Sequence, residues 1–415
     1  MSPRDEYEIR HFDTPVLGFW AGTDEDGAPE VGISDPPQLQ ALLPPGLEPT
    51  DDGLWKWLST RALPFNRLYA DHLCLMMGIR PGDVQRILSV SFGLSLNDCY
   101  WVVPQGFEGR FTDYNLYGNP FSEVLSAVAY TGHLDLGSSP LSGLTPELTT
   151  GGTLRKAWRI VDGQRLLYKG STPGWEPGEW LSECLASQVA AHLGLDAVGY
   201  APDIWESVPC SVCACFCTQE VSYAPLAVAA ADNRFAGALS YAESLGPQSL
   251  EAFADMWVFD ALICNTDRHL TNVGVLLDAR TNRPLKLAPV FDSGRSLFPN
   301  VATDQLADAP MLAQLQRPAV GGNSFEQAAS RVMGERQLKL LRRMEDFEFD
   351  TRGLGEKPSA RLRALEGFLR ERARELERIE AVNRSELHAA CTGYRERRAR
   401  SSHQTTPRSI RLCDS

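Results

Sequence analysis

A polar segment between an apolar stretch and a hairpin constrains this fold more than any other feature of the sequence. Residues 250–264 are apolar nearly all round, which predicts a deeply buried helix. The segment that follows reads Asn265-Thr266-Asp267-Arg268-His269-Leu270-Thr271-Asn272. Residues 273–277 and 285–291 have the composition of two strands joined by a turn. Because an antiparallel hairpin returns the chain to its starting edge, we expect Asn272 and Asp292 to lie side by side.

Three oxygen-bearing side chains of this region form a candidate catalytic set. Asn272 and Asp292 offer an amide and a carboxylate oxygen, which are ligands that Mg²⁺ prefers in proteins. Asp267 is left to orient a hydroxyl group. Phosphoryl transfer needs this combination, because metal ions and positioned groups handle its charge while a carboxylate accepts the hydrogen bond of the nucleophile.

Taken one at a time, these residues also have ordinary structural interpretations. Asp267 and Arg268 could form a loop ion pair, and Asp292 could begin a simple turn. His269 and Thr271 are the residues most readily explained as packed or turn residues. Together the residues match the protein-kinase spacing, in which a catalytic-loop Asp is followed by an Asn and, beyond the next strand pair, by a second metal-binding Asp.

Two elements upstream supply further charged residues. Residues 157–160 and 165–169 flank an Asp-Gly pair, which predicts a tight hairpin and places Lys169 on a strand. Residues 179–193 carry apolar side chains at every fourth position, which predicts an amphipathic helix with Glu183 off its apolar stripe. On their own, Lys169 and Glu183 could as easily be a surface lysine and an exposed helical acid as residues of a functional site.

The motifs resemble those of the HipA-like kinases, which are bacterial toxin kinases with a eukaryotic-like kinase fold. The resemblance rests on Asn265-x-Asp267-Arg268-His269-x-x-Asn272-x-Gly274 and on Ala288-Pro289-Val290-Phe291-Asp292-x-Gly294. It extends upstream to Tyr168-Lys169 and Ser182-Glu183, and it covers residues 149–297.

The resemblance implies a role for each of these residues. Lys169 would grip the phosphates of ATP and pair with Glu183. Asp267 would be the catalytic base, and Asn272 and Asp292 would bind Mg²⁺.

The resemblance also implies a loop that binds phosphate, because glycines let backbone amides approach an anion. The loop residues are Thr150, Gly151, Gly152 and Thr153, with Lys156 as a second cation. The resemblance further implies autophosphorylation within the hydroxyl-rich stretch 138–153. It also makes an antitoxin-like regulator a candidate partner.

These observations predict an α+β fold of the bilobal, protein-kinase-like type, with ATP between the lobes. The predicted divisions are an N-terminal region of unassigned role at 1–137, a mixed N-lobe at 138–220, a mainly helical C-lobe at 221–395 and a basic flexible tail at 396–415. Within the N-terminal region, residues 12–50 indicate short strands and loops, 53–78 predict two helices separated near Pro64, and 95–103 predict a strand.

The predicted function is ATP- and Mg²⁺-dependent phosphorylation of a serine or threonine hydroxyl on a protein substrate. One alternative is a lipid or small-molecule kinase that uses the same Asp-Arg-His-x-x-Asn site. Another is a pseudokinase that binds a partner and transfers nothing. The pseudokinase is disfavoured by the presence of Lys169, Asp267, Asn272 and Asp292.

Composition excludes other classes of function. The net charge of −13 argues against a surface that neutralises the phosphates of nucleic acid, so no direct nucleic-acid binding is expected. No stretch approaches the roughly 18 consecutive apolar residues of a membrane-spanning helix, so no membrane association is expected and the default compartment is the cytosol.

Four cysteines crowd into a short segment at Cys210, Cys213, Cys215 and Cys217. The first two have the C-x-x-C spacing of a zinc or redox motif, but no second half of a zinc site follows. The last three alternate with apolar residues as in a buried strand. We therefore interpret the cluster as small core residues.

Overall fold

The computed structural model describes residues 4–37, 39–134, 141–230, 232–354 and 359–403. Three antiparallel sheets occupy successive parts of these ranges, in the N-terminal region, the N-lobe and the C-lobe. The stretch 135–140, which includes Ser138, Ser139 and the predicted boundary at 137, lies outside the described residues.

The N-terminal region is built on a four-stranded sheet. Its strands are β1 (Asp5–His11), β2 (Thr14–Thr23), β3 (Pro29–Asp35) and β4 (Tyr100–Pro104), and they pair in the order β3-β2-β1-β4. β4 confirms the strand predicted within 95–103. β1 was not predicted, because its charged residues outnumber its apolar ones.

The helices of this region pack on both faces of the sheet and against the N-lobe. They are α1 (Asp51–Ser59), α2 (Ala70–Met76), α3 (Val84–Ser91), α4 (Phe111–Tyr114) and α5 (Glu123–Thr131). α1 and α2 confirm the two helices predicted on either side of Pro64. α1 begins at Thr50, whose hydroxyl accepts a hydrogen bond from the amide of Gly53. Its buried Leu54 packs with Ile9 of β1 in the core of this region.

The N-lobe sheet consists of β5 (Lys156–Val161), β6 (Gln164–Lys169), β7 (Ala201–Trp205) and β8 (Val208–Ala214), in the order β5-β6-β8-β7. The β5–β6 hairpin is confirmed, and both of its turn residues have positive φ, 49° at Asp162 and 77° at Gly163. Helix α6 (Glu179–Leu193) follows and ends at Gly194, whose φ is 73°. These elements hold Lys169 and Glu183 at one end of the sheet.

The C-lobe is mainly helical. Its helices are α7 (Leu226–Ala229), α8 (Phe235–Ser244), α9 (Pro247–Ile263), α10 (Ala309–Leu315), α11 (Phe325–Ser330), α12 (Glu335–Arg342), α13 (Ser359–Leu376) and α14 (Arg384–His403). α9 is buried on almost all sides, which confirms the helix predicted over 250–264. Within the described ranges, no helix has both the length and the apolar content needed to cross a membrane.

A three-stranded sheet in the C-lobe carries the segment that leads to Asp292. Its strands are β9 (Val221–Pro225), β10 (Gly274–Asp278) and β11 (Pro284–Leu287), in the order β11-β10-β9. The hairpin of β10 and β11 is confirmed. Its second strand was predicted to reach 291 but ends at Leu287, because Pro289 has no amide to donate. Val290 instead forms an isolated parallel bridge with Ala197.

The C-terminal helix extends into the predicted tail. α14 runs to His403, past the predicted start of the tail at 396, and Arg395 on it bonds to the carboxylate of Glu243. Residues 404–415 lie outside the described residues.

The cysteine segment bridges the two lobes. Cys213 lies on β8 as predicted, but that strand ends at Ala214, so Cys215 and Cys217 belong to the connection that leads to β9. The expected strand alternation therefore stops early, because the chain leaves the N-lobe sheet there. All cysteines in the described ranges are free thiols, and Cys215 is the only one of these that is not fully buried.

Candidate active site

Lys169 joins three parts of the chain. It lies at the end of β6, and its Nζ donates to Oε1 of Glu183 on α6 at 2.5 Å and to Oδ1 of Asp292 at 2.6 Å. Burial would lower the pKa of Lys169, but Asp292 and Glu183 outweigh it and raise that pKa. Lys169 is therefore a charged ammonium held in one position by two carboxylates.

Asp292 is an ionised carboxylate in an unusual backbone conformation. Burial would raise its pKa, but the positive charges of Lys169 and Lys156 lower the pKa to about 2. Its φ of 56° is in the left-handed region, which costs free energy for a residue other than glycine. Such conformations cluster at functional sites, where the surrounding structure enforces them.

Glu183 is held from a second side by a residue that the sequence analysis missed. Its side chain is almost fully buried, and Oε2 accepts a hydrogen bond from the hydroxyl of Ser211 at 2.7 Å. Ser211 lies on β8 directly opposite Lys169 of β6. Since opposed residues of paired strands share a face, knowledge of the strand register would have identified Ser211.

Lys156 is the other cross-strand neighbour of Lys169. The two lysines are paired residues of the β5–β6 hairpin, and Nζ of Lys156 donates to the carbonyl of Gly151 at 2.8 Å. Burial and the nearby charge of Lys169 lower the pKa of Lys156 to about 8. Like charges opposed across a strand pair are destabilising, so an anion at this point would relieve the repulsion.

The predicted phosphate loop lies between these lysines and the N-terminal region. Gly151, Gly152 and Thr153 are exposed, and Gly152 has a φ of 88°, which favours glycine. Thr150 has a structural role, because its hydroxyl donates to the carbonyl of Pro146 and accepts a hydrogen bond from the indole of Trp158. The exposed part of the loop is therefore 151–153.

Arg67 fixes both ends of this loop. Its Nη2 donates to the carbonyl of Lys156 at 2.6 Å and to Oε2 of Glu147 at 2.8 Å, and its Nη1 donates to the carbonyl of Thr150 at 3.2 Å. The side chains of Arg67 and Glu147 are both fully buried. No local pattern marks Arg67, which lies in the N-terminal region far from the loop in sequence.

The predicted catalytic-loop residues Asp267 and Asn272 are in contact. Nδ2 of Asn272 donates to the backbone carbonyl of Asp267 at 3.0 Å, while the side chain of Asp267 is 44% exposed. The structural alternative for His269 was a packed histidine, but the residue is exposed, and its Nε2 lies 2.8 Å from Oδ1 of Asp267. The other carboxylate oxygen of Asp267 faces no hydrogen-bond donor in the described part of the chain.

Arg268 is buried and holds this loop in place through hydrogen bonds. Instead of pairing with Asp267, it pairs with Asp260 of α9, with 2.8 Å between Nε and Oδ2. Burial would lower the pKa of Arg268, but Asp260 raises it. Its Nη1 donates to the carbonyls of Asn272 and of Phe291, the residue before Asp292. Asp260 was missed, although a carboxylate flanked on both sides by apolar residues of α9 was a usable signal.

The free oxygens of this site suit a magnesium ion. Within the described ranges, Oδ2 of Asp292 and Oδ1 of Asn272 accept no hydrogen bond. Arg268 holds the two backbones together, so a carboxylate and an amide oxygen are available from neighbouring segments. Oxygen ligands of this kind fit Mg²⁺, which usually takes one or two carboxylates from the protein together with phosphate oxygens.

Comparison with known proteins supports the fold. No protein-family model matches the chain, and no curated protein matches it. A structure from Shewanella oneidensis MR-1 of the toxin–antitoxin system HipA, HipB and its operator DNA matches with a TM-score of 0.50 at 13% identity, over 90% of this chain and 100% of the other. The Helicobacter pylori proinflammatory kinase CtkA matches with a TM-score of 0.40 at 17% identity, over 60% of this chain and 95% of CtkA.

The similarity to HipA shows that this chain has a HipA-like kinase fold. The predicted α+β, kinase-like class is thereby confirmed. The resemblance inferred from the motifs is confirmed at the level of the fold.

Proposed function

We propose that this chain is an ATP- and Mg²⁺-dependent kinase that phosphorylates a serine or threonine hydroxyl of a protein. The observation that carries the proposal is the double ion pair of Lys169 with Glu183 and Asp292. It couples a cation suited to phosphate with a carboxylate suited to magnesium, in a HipA-like kinase fold.

Each predicted residue has a place in this proposal. Lys169 and Lys156 would contact the phosphates, and the exposed amides of Gly151 and Gly152 would approach them. Asn272 and Asp292 would hold Mg²⁺, which supplies charge neutralisation at the transferred phosphoryl group.

Asp267 would act on the acceptor hydroxyl. One of its carboxylate oxygens is bonded to His269, so the other can accept the hydrogen bond of the incoming hydroxyl and take its proton as the new P–O bond forms. The bond between the γ-phosphorus and the bridging oxygen breaks, and ADP leaves. His269 would position the carboxylate.

Autophosphorylation in the loop belongs to the same proposal. Among the hydroxyls described between 141 and 153, only those of Ser142 and Thr153 lie on exposed residues. Thr149 is buried, and its hydroxyl donates to the carbonyl of Leu94 at 2.6 Å. Thr153 is therefore the best placed acceptor beside the lysines, and a phosphate there would add a charge of about −1.5 to −2 where the ATP phosphates bind.

The test is phosphate transfer with labelled ATP. Wild-type protein with Mg²⁺ should label protein or peptide substrate, and Asp267→Asn should not. Intact-mass measurement should show added phosphate, and peptide mapping should place it at Thr153. Labelling of extracted lipid in place of protein would favour the lipid-kinase alternative, and nucleotide binding without any transfer would favour a pseudokinase.

A regulatory partner is the second element of the proposal. The similar Shewanella structure contains HipA together with HipB. By analogy we propose an antitoxin-like regulator for this chain. The regulator would be sought by affinity purification of this chain from its native host. Kinase activity would then be measured with and without the purified regulator.

A further inference from the structure

The N-terminal region is attached to both lobes of the kinase fold. The amide of Tyr223 on β9 donates to the carbonyl of Asn97 at 2.7 Å, and Nδ2 of Asn282 in the β10–β11 turn donates to the carbonyl of Leu43 at 3.0 Å. Arg67 reaches the phosphate loop. The region is therefore fixed beside the cleft.

Between these attachments lies an open, cleft-like cavity of about 520 Å³, bordered by the phosphate loop and the catalytic loop. Its walls are contributed by α1, by the phosphate loop, by the catalytic loop and by the segment around β9, with Lys56, Thr60, Gly151, Thr271, Tyr223 and Val228 among the lining residues. Thr271 lies between Asp267 and Asn272, and Gly151 accepts the hydrogen bond of Lys156. The cavity thus borders the phosphate loop and the catalytic loop, the two segments between which an acceptor hydroxyl would be placed.

We infer that this cavity binds the segment of the protein substrate that carries the acceptor hydroxyl, and that the N-terminal region selects it. This inference rests on the proposed kinase function. The volume of the cavity lies in the range of ligand-binding clefts. The exposed wall at Val228, whose exposure is 45%, suits an apolar side chain of an extended peptide.

The charge of the cavity indicates which kind of substrate segment it would bind. Lys56 on α1 is exposed and makes no ion pair with any residue in the described ranges, whereas the neighbouring cation Arg61 is neutralised by Asp98 through two hydrogen bonds of 2.9 and 2.5 Å. The cavity therefore offers one uncompensated ammonium in a chain whose net charge is −13. It should favour an aspartate or glutamate beside the acceptor residue.

The experiment uses the full chain, Mg²⁺-ATP and a positional peptide library with a central serine or threonine. Wild type should prefer peptides with an acidic residue near the acceptor. Lys56→Glu should reverse this preference and raise the KM for an acidic peptide about tenfold, corresponding to the loss of one charged contact. Val228→Trp should raise the peptide KM by filling the cavity.

Lys339→Glu is the matched control, because Lys339 is exposed on α12 and lies outside this cavity. Its peptide preference should equal that of wild type. If both cavity variants keep the peptide preference of wild type, the inference is wrong and the kinase proposal stands. The same conclusion follows if the variants change the KM for ATP but not the KM for the peptide. If wild type labels no peptide at all, the kinase proposal and the inference fail together.

Discussion

Lys156 and Lys169 lie directly opposite each other across the β5–β6 hairpin, Lys169 bonded to two carboxylates and Lys156 to the carbonyl of Gly151. The carboxylates make the charge of Lys169 permanent at physiological pH. Burial, and after it the nearby charge of Lys169, lowers the pKa of Lys156 to about 8. A polyanion bound between them would reverse that shift.

The first prediction is a pH dependence of nucleotide affinity. A lysine in the unfolded chain has a pKa of about 10.4, so the charged form of Lys156 is disfavoured in the folded protein. Bound phosphate favours that charged form. Affinity for Mg²⁺-ATP should therefore be full below pH 8 and fall above it, by at most about tenfold per pH unit.

Calorimetric titration between pH 7 and 9.5 measures this dependence, and Lys156→Met should flatten it. The same linkage predicts that Lys156→Met stabilises the nucleotide-free protein below pH 8, where Lys156 is charged beside Lys169, and has less effect at pH 10. A steep decline that survives in Lys156→Met would assign the titration to another group.

The second prediction separates binding from chemistry. Asp292→Asn and Asn272→Ala should lose Mg²⁺-dependent ATP binding, because the first removes the negative charge and the second the oxygen ligand that a hard cation requires. Asp267→Asn should bind ATP normally and lose about 10²- to 10⁴-fold in turnover, because its carboxylate acts on the nucleophile. Titration calorimetry and a transfer assay on the same preparations test both parts. Failure of folded Asp267→Asn to bind nucleotide would contradict the assignment.

The third prediction concerns the buried ion pair of Arg67 and Glu147. Arg67→Met should destabilise the protein by about 3–5 kcal/mol, because the carboxylate of Glu147 is left buried without its partner. The double variant Arg67→Met with Glu147→Gln should recover part of that stability. Nucleotide affinity should still be reduced in the double variant, since the ends of the phosphate loop are no longer joined.

Chemical denaturation measures the first two effects and calorimetry the third. Equal nucleotide affinity in the double variant and wild type would show that Arg67 contributes only to stability.

The fourth prediction is that the cysteine cluster is structural. Among the described residues, no group of three or more histidine, cysteine or acidic side chains is arranged to hold a metal ion. Purified protein should contain substoichiometric zinc, and a chelator should leave its Tm unchanged. One zinc per chain by metal analysis would contradict this, because a site with several thiolates contributes folding free energy directly.

Local patterns accounted for the elements that carry most of the predicted site residues. The hairpin that bears Lys169, the helix that bears Glu183 and the buried α9 all follow from periodicity and turn residues that lie within one segment. The motif spacing located Asp267 and Asn272 for the same reason.

Residues whose role depends on distant partners could not be found in this way. Arg67 acts through Glu147, 80 positions away, and Ser211 through the register of two strands that are not adjacent in sequence. The cavity beside Lys56 depends on how the N-terminal region packs on both lobes. Contacts between residues so far apart in the sequence produce no periodic pattern that sequence analysis could detect.

The buried contacts of Arg67 also make the N-terminal region and the N-lobe one structural unit. The guanidinium of Arg67 donates to carbonyls at both ends of the loop at 150–156, so the conformation of that loop depends on a residue from another part of the chain. The N-lobe synthesised without the first 137 residues would expose an unpaired Glu147 and a loop with free ends. Removal of the N-terminal region would therefore change the predicted phosphate loop itself and not only a neighbouring surface.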